Sequence, residues 1–180
     1  MSGRPTGEAH EAVARVLRPG DTAVDATAGN GHDTLFLAAR VGPSGNVLAF
    51  DIQRAAIEST RRRLAAAGLA ARVELIEGSH ARLAEFAGAG EWGAAMFNLG
   101  YLPGGDHGEI TEPEATLAAL AAVPERLRVG GVLTVVCYPG HPGGTEEAAA
   151  VVAWAESLRG AEIGRPARPG APFLVRWQKG

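Results

Sequence analysis

The sequence predicts an α/β fold: a seven-stranded, mostly parallel, doubly wound sheet with helices on both faces. Three observations predict it. Short apolar runs suited to strands alternate with amphipathic stretches suited to helices through most of the chain. A glycine turn, Asp25-Ala26-Thr27-Ala28-Gly29-Asn30-Gly31-His32-Asp33, joins the first of these strands to the helix after it, as at the ligand-binding mouth of such sheets. The last two apolar runs follow each other with no helix between them, which predicts an antiparallel pair at one sheet edge.

Composition sets the bounds. The 180 residues suffice for one domain with a real core, expected over 1–180. At 46% hydrophobic and 21% charged, the chain is globular in type. A net charge of −3 argues against a surface coated in positive charge but leaves room for a local basic patch. Cys137 is the single cysteine and lies in an apolar run, so it reads as a buried, reduced thiol of a cytosolic protein. The first five residues contain no apolar signal core, and no run of about 18 apolar residues could span a membrane.

In chain order, residues 7–17 form a short amphipathic helix before Pro19-Gly20. The first strand covers 22–26 and the first crossover helix 33–40. Gly42-Pro43-Ser44-Gly45 turns the chain into a second strand, 46–50, which ends on Asp51. A helix over 54–67 stops at Gly68, and a third strand covers 72–76. Glu77-Gly78-Ser79-His80 then leads into a short helix ending near Phe86. Residues 93–98 make the fourth strand, followed by a loop over 99–110. Thr111-Glu112-Pro113-Glu114 opens a helix with a capping-box pattern, and Pro124 kinks or ends it before Gly130-Gly131. The fifth strand covers 132–138, and the glycine-rich loop 139–144 follows. Thr145-Glu146-Glu147 caps a helix with apolar residues at 148, 151, 152, 155 and 158. Residues 161–166 and 172–177 are the closing hairpin.

The first turn carries the chemistry. Gly29 and Gly31 can adopt positive φ and let a ligand approach the backbone. The turn lacks the third glycine that the dinucleotide fingerprint asks for, and an acid, Asp33, stands near that position. Asp25 and Asp33 would place two negative charges beside a pyrophosphate. The same charges suit a cation, and S-adenosyl-L-methionine carries a sulfonium and an ammonium but no phosphate. The turn therefore reads as a methyl-donor site.

Asp51 stands 22 residues after Gly29, the separation of an acid that grips ribose hydroxyls, and Gln53 could add a bond to ribose or adenine. Ser79 and His80 fall where an adenine pocket is expected, with a surface histidine as the plain alternative. His32 either touches the methionine part of the donor or caps its helix. Asn98 ends the fourth strand and Tyr101 follows, matching two positions of the (Asp/Asn)-Pro-Pro-aromatic motif of amino-methylating enzymes. There a carbonyl oxygen orients the amine and an aromatic face holds the base. Asp106, His107 and His141 share two loops at the same end of the sheet. Their spacing resembles no closed metal-ligand set, so general base or substrate contact is expected and no metal.

Taken together, Asp25 to Thr34, Phe50-Asp51-Ile52-Gln53, Asn98-Leu99-Gly100-Tyr101-Leu102-Pro103-Gly104-Gly105-Asp106 and Tyr138-Pro139-Gly140-His141-Pro142-Gly143-Gly144 resemble one family, with Ala171-Pro172-Phe173-Leu174 in support. The chain looks like the YtqB-like rRNA methylases, understood as tRNA 5-(aminomethyl)-2-thiouridine methyltransferases. The resemblance implies a class I methyltransferase fold, S-adenosyl-L-methionine as cofactor, and the wobble uridine in the tRNA anticodon loop as acceptor. It implies that Asn30, Asp33, Asp51, Gln53 and His80 bind the donor, while Asn98, Tyr101, Asp106 and His141 face the uridine.

An alkylamine is largely protonated at neutral pH, like lysine with its reference pKa of ~10.4, so a group that takes its proton is expected. Asp106 is favoured for that role, with His141 orienting the ring. Arg61, Arg62, Arg63, Arg165, Arg168 and Arg176 are candidates for a local RNA patch. Other classes stay open: an rRNA or small-amine methyltransferase, a nicotinamide oxidoreductase, or a non-catalytic RNA-binding module. The oligomeric state, a homodimer included, is left open too.

Overall fold

The computed structural model describes residues 4–86, 91–100 and 112–180. Helix α1 (Pro5–Val16) precedes strand β1 (Thr22–Asp25), and α2 (His32–Val41) leads to β2 (Asn46–Asp51). Next come α3 (Arg54–Ala66), β3 (Val73–Glu77), a 3₁₀ segment (His80–Phe86) and β4 (Trp92–Leu99). The chain closes with α4 (Pro113–Arg126), β5 (Leu127–Cys137), α5 (Gly144–Glu156), β6 (Glu162–Ile163) and β7 (Phe173–Gln178).

These strands form one seven-stranded sheet in the order β3-β2-β1-β4-β5-β7-β6. The first five positions are parallel; β7 runs antiparallel to both β5 and β6. The expected edge hairpin is therefore present, with its second strand inserted between its first and the rest of the sheet.

Apolar side chains of the parallel strands point to both faces, because both are covered. On one face Val13, Leu37, Val41 and Leu64 from α1, α2 and α3 pack on Ala23, Val47 and Met96. On the other, Leu120, Val123 and Val151 from α4 and α5 pack on Phe50, Phe97 and Leu133. Cys137 is buried, and desolvation pushes its thiol up to about 12, with the Glu147 charge adding to the shift.

Pro124 sits in the last turn of α4, and the helix ends two residues after it, as expected. Two boundaries differ from expectation. Strand β5 starts at Leu127, which pairs with Trp92, and Gly130-Gly131 lies within the strand as an irregularity rather than before it. Helix α5 is capped by Gly143 and not by Thr145, whose hydroxyl instead donates to the Pro139 carbonyl at 3.1 Å. Gly144 is required there, because a Cβ would collide with the Tyr138 carbonyl oxygen.

Strand order reverses between β1 and β4, which start opposite-going crossovers. A crevice opens at their carboxyl ends, the position where ligands bind such sheets. The glycine turn and Asn98 both lie at this point.

Candidate active site

The turn after β1 is held from every side. The Ala26 N–H donates to the Met96 carbonyl of β4 at 2.9 Å, and the Ala28 N–H to the Phe50 carbonyl of β2 at 2.8 Å. Gly29 and Gly31 have φ of 52° and 78°, as a ligand-cradling turn requires. Gly31 must also lack a side chain: a Cβ would come within 2.8 Å of the Thr60 hydroxyl and 2.9 Å of the Thr60 Cα. Helix α3 braces the same turn. The Thr60 hydroxyl donates to the Gly29 carbonyl, Arg63 Nε donates to the Asn30 carbonyl at 2.7 Å, and the Ser59 hydroxyl donates to the Asn30 side chain.

Asp51 ends β2 beside the glycine turn. One oxygen accepts the Gly29 N–H at 2.8 Å and the other the Gln53 N–H at 2.9 Å. Burial raises its pKa, against the pull of those two bonds. Each oxygen can accept one more hydrogen bond, which two vicinal hydroxyls would supply.

Three carboxylates surround the turn. Asp25 is fully buried, accepting the Thr34 hydroxyl at 2.5 Å and the Thr27 N–H at 3.1 Å. Its pKa is raised to about 7, first by burial, then by the Asp33 charge, and least by Asp51. Carboxylates gathered at this turn favour a cation over a phosphate, so the residues present fit a sulfonium donor.

Asp33, at the start of α2, faces the end of β4. Its Oδ2 accepts Asn98 Nδ2 at 3.3 Å, while its Oδ1 lies 2.6 Å from His10 Nε2 on α1. The Asn98 backbone N–H donates to the Thr27 hydroxyl at 2.7 Å, and the Tyr138 phenol hydrogen-bonds the Asn98 side chain. Tyr138 has its pKa raised by burial and by the Asp33 charge, so it stays neutral. Asn98 at the end of β4 and Asp33 at the start of α2 are thus one hydrogen bond apart.

His141 brings the second glycine loop to the same place. Its Nδ1 donates to the Pro142 carbonyl at 2.8 Å, and Nε2 lies 3.3 Å from the Leu99 carbonyl. Tyr101, Asp106 and His107 lie outside the described residues.

Two donor-side candidates are placed otherwise than expected. The His80 ring turns into the core, 5% exposed, with Nδ1 3.2 Å from the Ala26 carbonyl and Nε2 3.3 Å from the Thr116 hydroxyl. It is neither a surface histidine nor free to grip adenine, and burial lowers its pKa. Thr116 donates in turn to the buried Glu147 at 2.7 Å. Ser79 accepts the Ala81 N–H at 3.1 Å, opening the 3₁₀ segment. His32 is exposed at the turn, its Nε2 3.3 Å from Arg63. Sequence reasoning missed His10, which no spacing rule connects to the turn.

Comparison with known proteins shows the family and the fold. The chain is 37% identical to a chloroplast tRNA (mnm5s2U34)-methyltransferase of Arabidopsis thaliana, over 96% of this chain and 69% of the relative. The crystal structure of a "putative rRNA-methylase" from Clostridium thermocellum superposes with a TM-score of 0.95 at 38% identity, covering 100% of both chains. A "putative methyltransferase" of Streptococcus mutans in complex with SAH superposes with a TM-score of 0.89 at 34% identity, again over 100% of both. The fold is that of the class I methyltransferases. Residues 47–164 match the model of the family described as "Putative rRNA methylase", and the chain belongs to that family.

Proposed function

We propose that this protein is an S-adenosyl-L-methionine-dependent tRNA methyltransferase, working as a single domain. Its acceptor is the aminomethyl nitrogen of 5-aminomethyl-2-thiouridine at the wobble position. The observation that carries the reading is the Asn98 amide, held by Asp33 at the rim of the donor turn. An amide oxygen there suits an amine that must be aimed, not a ring that only needs stacking. The Arabidopsis relative, alike over nearly the whole chain, bears a name with the same acceptor chemistry.

When bound, the donor supplies an electrophilic methyl group on a positively charged sulfur. The protein supplies position and charge. Gly29, Asn30 and Gly31 leave room for the donor's backbone approach, Asp51 and Gln53 take the ribose, and Asp25 and Asp33 balance the cation. Ser79 and His80 shape the adenine side through their backbone, with His32 at the outer rim. On the acceptor side, Asn98 orients the amine. Tyr101 stacks on the base, Asp106 takes the ammonium proton and His141 orients the ring. The wobble base belongs to a single-stranded loop, so it can enter a pocket without a duplex being opened. A cytosolic location completes the proposal.

Radiolabelled methyl transfer from S-adenosyl-L-methionine to purified tRNA and, separately, to rRNA tests the reading. Label in tRNA is expected. Label confined to rRNA would favour the family's descriptive name over the proposal.

A further inference from the structure

We infer that His10 is a positioning residue for methyl transfer, acting through Asp33 to fix which end of the Asn98 amide meets the acceptor amine. The inference rests on the proposed methyltransferase reading and deepens it.

His10 lies on α1, outside the sheet and its crossovers, yet its ring reaches the crevice. The ring stacks on Phe36 with centroids 4.1 Å apart and planes 5° from parallel. That stack fixes the ring plane, and Nε2 then meets Asp33 Oδ1 at 2.6 Å. A carboxylate oxygen accepts, so the proton of this bond sits on Nε2. The Asp33 side chain is only 12% exposed, so water competes weakly for it. With Oδ1 committed to His10, Oδ2 is turned toward Asn98.

An asparagine amide has two nearly isosteric ends, and its neighbours decide which way it lies. Asp33 can only accept, so the end it holds is Nδ2, leaving Oδ1 the end turned from it, with the Tyr138 phenol as the amide's other partner. Oδ1 is the end able to accept an N–H from an incoming amine and aim its lone pair. With the amide reversed, an N–H would face that amine and compete for the lone pair. The order imidazole, carboxylate, amide is a supporting chain, in which each group sets the orientation of the next. Of these three groups only Asn98 touches the acceptor.

The test compares His10→Phe, which can keep the stack on Phe36 but has no ring N–H, with His10→Gln, which restores a donor. With S-adenosyl-L-methionine and tRNA, His10→Phe is expected to lower kcat by ~10- to 100-fold, the scale of a misaimed acceptor. Donor affinity by calorimetry and the thermal midpoint should stay as in the wild type, and His10→Gln should recover most of kcat. In NMR spectra of the same proteins with no RNA present, the Asn98 side-chain amide resonances should shift in His10→Phe and return in His10→Gln. A wild-type kcat in His10→Phe would overturn the inference. So would a loss of donor affinity that matches the loss in rate. Should the wild type transfer no methyl to any RNA, the proposed function fails, and the Asn98 resonances still decide this inference: unmoved in His10→Phe, they overturn it.

Discussion

The Asp51 carboxylate accepts the backbone N–H of Gly29 at 2.8 Å, joining the end of β2 to the turn after β1 across 22 residues. One side chain thus shapes the glycine turn and keeps acceptor capacity for two more hydrogen bonds, which the proposal gives to the ribose. Replacing Asp51 with alanine should weaken donor binding by about 2–4 kcal/mol, the loss of two charge-assisted bonds. Calorimetric titration with S-adenosylhomocysteine reads this directly. Affinity unchanged within error would remove Asp51 from the donor site.

Asp25 should leave a signature in the pH dependence of stability. Its folded pKa, about 7, lies above the ordinary 3.8, because burial and the Asp33 charge oppose ionisation. Between those values the native state holds a proton that the unfolded state has lost. Stability from this group is therefore full below 3.8 and declines as pH rises toward 7. The slope is at most about 1.4 kcal/mol per pH unit. Asp25→Asn should flatten urea-unfolding stabilities across that window; an unchanged slope would contradict the assignment. A bound cation should also release a proton from Asp25 near neutral pH, detectable as buffer-dependent binding heat.

Gly31→Ala tests the turn itself. The new Cβ would need φ near 78° and would press on the Thr60 Cα, which cannot swing aside. Destabilisation of about 1–3 kcal/mol is expected, together with loss of donor binding. Adding Thr60→Ala should relieve only part of it, since the backbone contact persists. Donor affinity equal to wild type in Gly31→Ala would show that the turn tolerates reshaping.

The expected RNA patch divides once side chains are placed. Arg63 is committed to the donor turn through Asn30, and Arg176 pairs with Glu162. Arg61 and Arg62 are exposed on α3, and Arg165 and Arg168 are exposed between β6 and β7. That second connection touches the glycine loop of His141, where a Cβ on Gly140 would meet the Gly170 carbonyl at 2.9 Å. Arg165 and Arg168 are thus the better placed pair for an acceptor entering from that side. Each phosphate contact removed by alanine should flatten the log–log salt dependence of tRNA binding by about 0.7–0.9. A double Arg165, Arg168 alanine variant with the wild-type slope would exclude them.

What could be read from sequence was local. The turn announced itself because strand, glycines, acids and helix follow one another within a dozen residues. Asp51 was legible through its fixed separation from Gly29, and the edge hairpin through the absence of an intervening helix. The insertion of β7 between β5 and β6 was not, since pairing across the sheet leaves no mark in either strand. His10 was hidden for the same reason: its partnership with Asp33 spans 23 residues and depends on how α1 lies over α2. The inward turn of His80 depends on Thr116, 36 residues away, which its own neighbourhood does not reveal. The Arg61 to Arg63 run looked uniform, but helical rotation sends its third member to the turn.

Nucleoside analysis by mass spectrometry tests the methyl transfer most directly. tRNA bearing 5-aminomethyl-2-thiouridine at the wobble position would be incubated with the purified protein and S-adenosyl-L-methionine. This nucleoside should be replaced by one heavier by a single methyl group, with the methyl on the aminomethyl nitrogen. An Asn98→Ala variant that still binds S-adenosylhomocysteine should give no conversion. A wobble nucleoside left unmodified by active, donor-binding wild-type protein, or a methyl found on any other nucleotide, would contradict the proposed function.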